Sequence, residues 1–240
     1  MISIIIPTYN EEKAIGKTIS DFKAKLTLPH EIIVTDDKST DRTAEVAGAA
    51  RADLVLVPEA KHVTIAANRN DGAKYARGEY LVFIDSDSTI AEPDAFFGRA
   101  LSLFDADPKL VAITGKLGVW SELETISDKI IYFIFNAVHY VKNNVLKMGE
   151  ASGKFQMMRR SAFDTVGGYR EDLVTREDGD MFSRLAKIGR THYDSKLVVL
   201  HMGRRAHRIG WPKLLYVWML ETFWVAVFGK SRVKEWVEIR

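Results

Sequence analysis

Short apolar runs alternate with amphipathic stretches along the first 115 residues. The runs that predict buried strands are residues 3–7, 31–35, 54–57, 80–84 and 110–114. Between the first two, Ile15, Ile19, Phe22 and Leu26 share one face of a helix, and further helices are predicted from Thr43 and over residues 63–77. This alternation predicts an α/β protein with a single doubly wound, mostly parallel sheet and helices on both faces.

The second half contains two segments with more apolar and aromatic residues than one packing face requires, residues 126–147 and 211–228. Charged residues such as Asp128 and Glu221 interrupt them, so neither has the roughly 20 mainly apolar residues of a membrane span. Two interpretations stay open for each segment. Residues 126–147 form a core helix, or an amphipathic helix that lies on a membrane surface or covers an acceptor groove. Residues 211–228 form a helix packed against the sheet or a dimer partner, or an interfacial membrane anchor.

Composition narrows the classes of function. The 240-residue chain has a net charge of +2 and no cysteine. The charge balance indicates no nucleic-acid partner, and the missing thiols exclude disulfides, Cys-ligated zinc and a thiol nucleophile. Because the first strand begins at Ile2 with no preceding signal-like segment, we expect a cytoplasmic protein, with the cytoplasmic membrane surface as the place where the aromatic segments would act.

Asp85 and Asp87 follow the apolar run at residues 80–84. Open α/β sheets bind ligands at the carboxyl ends of their parallel strands, and two carboxylates there suit Mg²⁺ or Mn²⁺. The cation would hold a substrate diphosphate. The alternative is a solvated turn, since Asp and Ser favour turns.

Polar residues follow the first two strands as well, at residues 8–11 and at Asp36 and Asp37. Strand ends in a parallel sheet share one edge, so these residues are predicted to converge on Asp85 and to bind the base and ribose of a nucleotide. Neither a Gly-x-Gly-x-x-Gly fingerprint nor a P-loop motif occurs in the chain. A metal ion and side chains would therefore have to neutralise the charge of the phosphates.

Four linked motifs resemble the opening half of glycosyltransferase family 2. They are Ser3 to Glu12, Asp36-Asp37-Lys-Ser-Thr-Asp41, Arg69-Asn70-Asp71-Gly72 with Ala76 to Tyr80, and Asp85-Ser86-Asp87. The resemblance implies a GT-A fold, a GDP- or UDP-sugar donor, Mg²⁺ or Mn²⁺ held by Asp85 and Asp87, and inversion at the sugar carbon. The nucleotide-binding residues it implies are Pro7, Thr8, Tyr9, Glu11, Asp36, Asp37, Arg69, Asp85 and Ser86. Lys38 and Asn68 depart from the usual family pattern.

The acceptor-side block of the same family resembles residues 153–160, 163, 166–169 and 177–178. An inverting transfer needs a base for the acceptor hydroxyl, and Asp178 in the first turn of a helix is our candidate, with Glu177 and Gly153 on the acceptor side. Met181, Leu185 and Ile188 would form the apolar face of that helix. A plain helix cap is the alternative for Asp178.

A basic cluster follows a strand predicted at residues 196–200. Arg204, Arg205 and Arg208 could neutralise the leaving diphosphate or a phosphate on a lipid acceptor, or they could form a solvated loop. His201 is interpreted as a hydrogen-bonded structural residue rather than a metal ligand. The strict Gln-x-x-Arg-Trp element of processive synthases is absent, so we do not expect processivity.

We therefore predict one domain over residues 1–240. Residues 1–115 form the donor half, residues 116–210 the acceptor half, and residues 211–240 a C-terminal aromatic helix that could anchor the protein at a membrane surface. The predicted function is metal-dependent, inverting transfer of a hexose-type sugar to a lipid-linked or glycan acceptor. The alternatives are a nucleotidyltransferase, although its lysine- and glycine-rich loop is missing, and a non-catalytic module that binds sugar nucleotides or carbohydrate.

Overall fold

The structure, a computed structural model, describes residues 1–59 and 64–233. Its strands are β1 (Ile2–Thr8), β2 (His30–Asp36), β3 (Leu54–Leu56), β4 (Tyr80–Ile84), β5 (Leu110–Val119), β6 (Phe155–Arg159) and β7 (Arg190–His201). Its α-helices are α1 (Ile15–Lys25), α2 (Thr43–Ala49), α3 (Ile65–Tyr75), α4 (Pro93–Ala106), α5 (Ile126–Tyr140), α6 (Arg160–Thr165), α7 (Glu177–Leu185), α8 (Arg204–Ile209) and α9 (Trp211–Phe228). A π-helical turn, Val141–Val145, extends α5.

In the described residues the strands form a single seven-stranded sheet in the order β3-β2-β1-β4-β6-β5-β7. All neighbouring strands are parallel except β6, which is antiparallel to both β4 and β5. The predicted mostly parallel sheet is confirmed. The antiparallel strand was not predicted, because residues 155–159 enter the sheet between two strands that precede them in the sequence.

Successive residues of β1 pack on opposite faces of the sheet. Ile4 and Ile6 join a core with the buried faces of α1, α4 and α9, while Ile5 joins a second core with α3, α6 and α7. This alternation is the two-residue period of a strand buried on both sides. Helices cover both faces, as predicted.

Several predicted boundaries are wrong. The predicted strand at 110–114 continues to Val119, because its end pairs with the end of β7, Val119 lying opposite His201. Helix α7 stops at Leu185, so Ile188 lies outside it and is 46% exposed, whereas Met181 and Leu185 are buried. Val63, predicted to begin the third helix, and residues 234–240 of the predicted C-terminal segment lie outside the described residues.

The two aromatic segments pack against each other. The Phe135 ring of α5 lies 5.5 Å from that of Trp218 in α9, and the Tyr132 ring lies 5.6 Å from that of Trp211. Only one side of each helix is buried in this way, and the opposite sides are exposed. No helix within the described residues has the length and apolar content needed to cross a membrane.

Candidate active site

The loops that follow β1 and β2 are bound to each other at the carboxyl edge of the sheet. Thr8 lies beside Asp36 in register, and its hydroxyl donates to the Asp36 carboxylate over 3.2 Å. The Asn10 side chain accepts a hydrogen bond from the Thr40 amide over 2.6 Å, and Asn10 adopts a left-handed φ of 56°. The two loops therefore form one pre-shaped rim.

Asp36 and Asp37 differ within this rim. The Asp36 side chain is buried and accepts hydrogen bonds from the amide and hydroxyl of Ser39, so it organises the loop. Asp37 donates its amide to the Thr8 carbonyl over 2.9 Å and is half-buried. Asp37 is thus the better placed of the two to bind a nucleoside, while the predicted Tyr9 is half-buried in the same rim and Pro7 is buried inside β1.

Asp85 and Asp87 lie where β4 ends, and two cations contact them. The Lys154 ammonium is 3.0 Å from a carboxylate oxygen of Asp85 and 2.8 Å from one of Asp87. Arg204 lies 3.4 Å from the second oxygen of Asp87. Burial by itself would raise the pKa of Asp87, but Lys154 and Arg204 outweigh it and hold this pKa well below the ordinary value. Asp87 is therefore an anion despite being 4% exposed.

The chemistry of these two carboxylates fits a hard divalent cation. Mg²⁺ and Mn²⁺ prefer oxygen ligands and commonly take one or two carboxylates together with substrate phosphates and water. In the part of the chain that the structure describes, no group of three or more His, Asp or Glu side chains could hold a metal ion. Asp85 and Asp87 could thus hold such an ion only together with oxygens from a substrate or from water.

Arg69 connects the predicted donor side of the site with the predicted acceptor side. Its guanidinium is 1% exposed, bonds to Glu177 over 2.7 Å and lies 3.6 Å from Asp85. The Tyr169 ring lies beneath it, 5.3 Å from the guanidinium carbon to the ring centre. Gly153 packs so closely on Arg69 that a Cβ at this position would collide with the guanidinium. A side chain at residue 153 would therefore displace Arg69.

Asp178 lies in the first turn of α7 and is bound by two backbone amides, from Gly153 over 2.8 Å and from Gly179 over 2.7 Å. Burial raises the pKa of Asp178 above its ordinary value, although Arg176 and Arg69 oppose this. Burial and the neighbouring Asp178 raise the pKa of Glu177 to about 7. A carboxylate with a raised pKa is a stronger proton acceptor, which suits the predicted base.

Buried Glu150 and its two partly exposed cationic partners support this first turn. Arg176 has a left-handed φ of 66° and bonds to Glu150 over 2.9 Å. Lys142, in the π-helical turn, bonds to the same carboxylate over 2.5 Å, and the Asn143 side chain donates to the Glu150 carbonyl. The turn that carries Glu177 and Asp178 is therefore connected to the end of α5 through Glu150.

The arginines of the predicted basic cluster differ in whether they contact the carboxylates of the site. Arg204 reaches the site, since it bonds to Glu11 over 2.7 Å as well as contacting Asp87. Arg205 is half-buried and Arg208 is exposed on the same helix, α8, and their role at phosphate stays a prediction. The ring of His201 accepts a hydrogen bond from the Gly203 amide over 3.0 Å, in line with its structural interpretation. Ser86 is buried, and its carbonyl accepts from Thr18.

Sequence reasoning missed Lys154, Glu150 and Arg176. No role was predicted for Lys154, because its proximity to Asp85 depends on β6 lying beside β4. Glu150 and Arg176 belong to loops whose path the sequence pattern does not indicate. The sequence held no signal for Lys154, because charged residues also directly precede other apolar runs, Glu79 before β4 and Lys109 before β5.

Comparisons with known proteins identify the family and the fold. A family model described as "Glycosyl transferase family 2" matches residues 3–167. The O-antigen chain rhamnosyltransferase RfbN of Salmonella typhimurium is 25% identical over 208 residues, covering 83% of this chain and 66% of the relative. Poly-beta-1,6-N-acetyl-D-glucosamine synthase of Staphylococcus aureus is 27% identical over 238 residues, covering 97% of this chain and 53% of the relative. The chain thus spans about half to two thirds of the length of these relatives.

Solved structures share the fold. The mannosyltransferase PcManGT from Pyrobaculum calidifontis, in complex with GDP-Man and Mn²⁺, superposes with a TM-score of 0.73 at 17% identity, covering 97% of this chain and 65% of that one. TarS of S. aureus in complex with UDP-GlcNAc gives 0.66 at 22% identity, covering 84% and 58%. The expected GT-A fold is therefore confirmed. Since the family model covers more than half of its residues, the chain belongs to glycosyl transferase family 2.

Proposed function

We propose that the protein is a metal-dependent, inverting glycosyltransferase that moves a hexose-type sugar from a GDP- or UDP-sugar to a lipid-linked acceptor. One observation carries the proposal. Buried Arg69 bonds to Glu177, beside the candidate base, and also contacts Asp85 of the carboxylate pair that suits a metal–diphosphate. A donor held on one side of this guanidinium would lie next to an acceptor held on the other.

The donor half would bind the nucleotide through the rim and the strand ends. Asp37 and residues 8–11 line the rim and would hydrogen-bond the base and ribose, with Pro7, Asp36 and Ser86 supporting the backbone there. Asp85 and Asp87 would hold Mg²⁺ or Mn²⁺, which supplies charge that stabilises the leaving diphosphate. PcManGT is described with GDP-Man and Mn²⁺ and TarS with UDP-GlcNAc, and these support a nucleotide-sugar donor here.

Asp178 would accept the proton of the acceptor hydroxyl as that oxygen attacks the sugar carbon. The two backbone amides hold the carboxylate in one orientation, and burial raises its pKa. Attack from the face opposite the departing diphosphate inverts the configuration at the sugar carbon. Glu177 would stay on Arg69 and keep the guanidinium between the two substrates. Arg204 lies close enough to Asp87 to meet the diphosphate as it departs.

The exposed sides of α5 and α9 support a lipid-linked acceptor. On α5, Ile126, Ile130 and Phe133 are 78%, 56% and 75% exposed, and on α9, Tyr216 and Phe223 are 60% and 62% exposed. Helix α9 is apolar around its whole circumference, which is typical of a helix that is covered. Such an apolar surface would suit contact with the lipid of the acceptor.

The charges beside this surface favour an anionic membrane. The acidic side chains of α5 and α9, Asp128 and Glu221, are buried and hydrogen-bonded. Lys129 and Lys213 are exposed on the same helices. The exposed charged side chains of α5 and α9 themselves are therefore basic, while Glu122 and Glu124 lie just before α5 and Glu124 is 3.7 Å from Lys129. Anionic headgroups attract basic side chains beside an apolar surface.

The first test is calorimetric titration of the protein with UDP and with GDP, each with and without Mn²⁺. We expect one nucleotide to bind, to need Mn²⁺, and to lose at least about tenfold in affinity in Asp87→Ala, because removal of one carboxylate weakens the metal site. Asp164→Ala, an exposed carboxylate on α6, is the control. If neither nucleotide binds with or without the metal, the donor proposal fails and the carbohydrate-binding form of the non-catalytic alternative replaces it.

Membrane contact is tested by co-sedimentation with lipid vesicles. We expect the protein to bind vesicles containing phosphatidylglycerol more tightly than phosphatidylcholine vesicles, and less tightly as salt rises. The double variant Phe133→Ser and Phe223→Ser should lose at least about tenfold in affinity, since each exposed ring would bury apolar area in the bilayer. Tyr75→Ser, at a ring on α3 that is 58% exposed, is the control. A native protein that ignores both vesicles at low salt would contradict membrane contact.

A further inference from the structure

Lys154 lies at the centre of the carboxylate pair, and the proposed function assigns it no role. Its ammonium is within 3.0 Å of both Asp85 and Asp87, and its side chain is 24% exposed. Because Ile84 lies opposite Phe155 in the antiparallel pairing of β4 and β6, residue 154 is held directly across from residue 85. The sheet itself thus holds this lysine against the two carboxylates.

The negative charge around Asp87 must be balanced by cations when no substrate is bound. Asp87 is 4% exposed and has Asp85 and Glu11 as acidic neighbours. Carboxylates gathered in a poorly solvated place repel one another and need compensation. Lys154 and Arg204 provide it within the chain itself. The protein therefore carries its own counter-charge at the place where Mg²⁺ or Mn²⁺ would bind.

An ammonium group and a divalent ion cannot both lie between the same two carboxylates. A divalent ion would repel the Lys154 ammonium and take over its oxygens, so one must leave as the other enters. Lysine suits such an exchange, because its charge is a compact group on a flexible four-carbon stem. The partly exposed side chain can turn outward, and the nearest new anion would be the diphosphate of the donor.

We propose that Lys154 is an internal cation that holds Asp85 and Asp87 before substrate binds, competes with the divalent ion, and moves onto the donor diphosphate when the ion enters. The diphosphate step rests on the proposed function, whereas the competition with the metal does not. Lys154 would then favour joint binding of metal and donor, since the ion alone must displace a bonded ammonium without giving it another anion.

The test is Mn²⁺ binding without nucleotide, measured by the electron paramagnetic resonance signal of free Mn²⁺. Lys154→Met, which keeps the stem and removes the charge, should bind Mn²⁺ alone at least about tenfold more tightly, or about 1.4 kcal/mol. Lys154→Arg should remain near the native affinity, and Lys109→Met, at an exposed lysine, is the control. Unchanged or weaker Mn²⁺ binding by a folded Lys154→Met variant would overturn the proposal.

A second measurement uses the native protein and needs no variant. Reductive methylation of lysine amines, followed peptide by peptide by mass spectrometry, should be slow at Lys154 while it is bonded to both carboxylates. Mn²⁺ alone should speed methylation at Lys154 severalfold but leave Lys109 unchanged, and Mn²⁺ with the nucleotide that binds should slow it again. A rate at Lys154 that Mn²⁺ does not change would overturn the competition. If Mn²⁺ raises the methylation rate at Lys154 but the protein binds neither UDP nor GDP, the competition between Lys154 and the metal is supported and the donor proposal is rejected.

Discussion

Replacing Asp178 with asparagine should lower kcat for sugar transfer by about 10²–10⁴-fold, the usual contribution of a positioned general base. Asparagine keeps the shape, and its one carbonyl oxygen can accept a hydrogen bond from the Gly153 or the Gly179 amide, but its amino group cannot accept from the other, and it cannot take up a proton. Affinity for the nucleotide should change little, because Asp178 lies on the acceptor side. The measurement is a transfer assay combined with calorimetric nucleotide binding on the same preparation.

Asp164→Asn, which changes an exposed carboxylate outside the site, is the matched control and should retain native rates. The pH profile adds an independent readout. Because burial raises the pKa of Asp178, kcat/KM of the native enzyme should be lost on acidification at a pH above the ordinary range of an aspartate. An Asp178→Asn protein with native kcat would reject Asp178 as the base.

The Arg69→Met variant should lose about 3–5 kcal/mol of unfolding free energy, the usual cost of leaving a buried charge without its partner. Arg69 is 1% exposed and compensates Glu177, so its loss would leave this buried carboxylate beside Asp178 without its partner, whereas Asp85 would keep Lys154. Urea denaturation measures the change. A loss of this size is a large part of the 5–15 kcal/mol that stabilises a typical domain.

A double variant separates lost charge compensation from lost packing. Arg69→Met combined with Glu177→Gln should recover part of the stability, because the uncompensated carboxylate is removed with its partner. The control is Arg42→Met, whose partner Glu12 lies on the surface and whose side chain is 73% exposed, and it should cost no more than about 1 kcal/mol. Equal losses in the Arg69 and Arg42 variants would contradict a structural role for the buried pair.

The donor-side fold follows from local patterns. The strands ending at Thr8, Asp36 and Ile84 are continuous apolar runs, and the polar residues after them lie at one sheet edge because parallel strands end together. Helix α1 could be predicted from the spacing of Ile15, Ile19 and Phe22, all of which are buried. In the order β3-β2-β1-β4, every strand except β4 lies beside the strand that precedes or follows it in the sequence, so local rules are nearly sufficient.

The acceptor side was less predictable because its contacts are distant in sequence. Strand β6 enters between β4 and β5, so Lys154 meets Asp87 across 67 residues of chain. Arg69 likewise meets Glu177 across 108 residues. The pattern of apolar residues carries no information about such pairings. The family resemblance indicated that Asp178 matters, but not that Glu150 and Arg176 support its turn.

The shared guanidinium of Arg69 limits how such enzymes can be recombined. A chimera that joined residues 1–115 of this chain to the remaining residues of another family member would contain Arg69. It would contain the partner of Arg69 only if the other protein has a carboxylate at the place of Glu177. Only acceptor halves that supply a residue equivalent to Glu177, and a glycine where Gly153 packs on the guanidinium, should give folded hybrids. Under the proposed function, new acceptor specificities are therefore more readily obtained by altering the exposed sides of α5 and α9 than by exchanging whole halves.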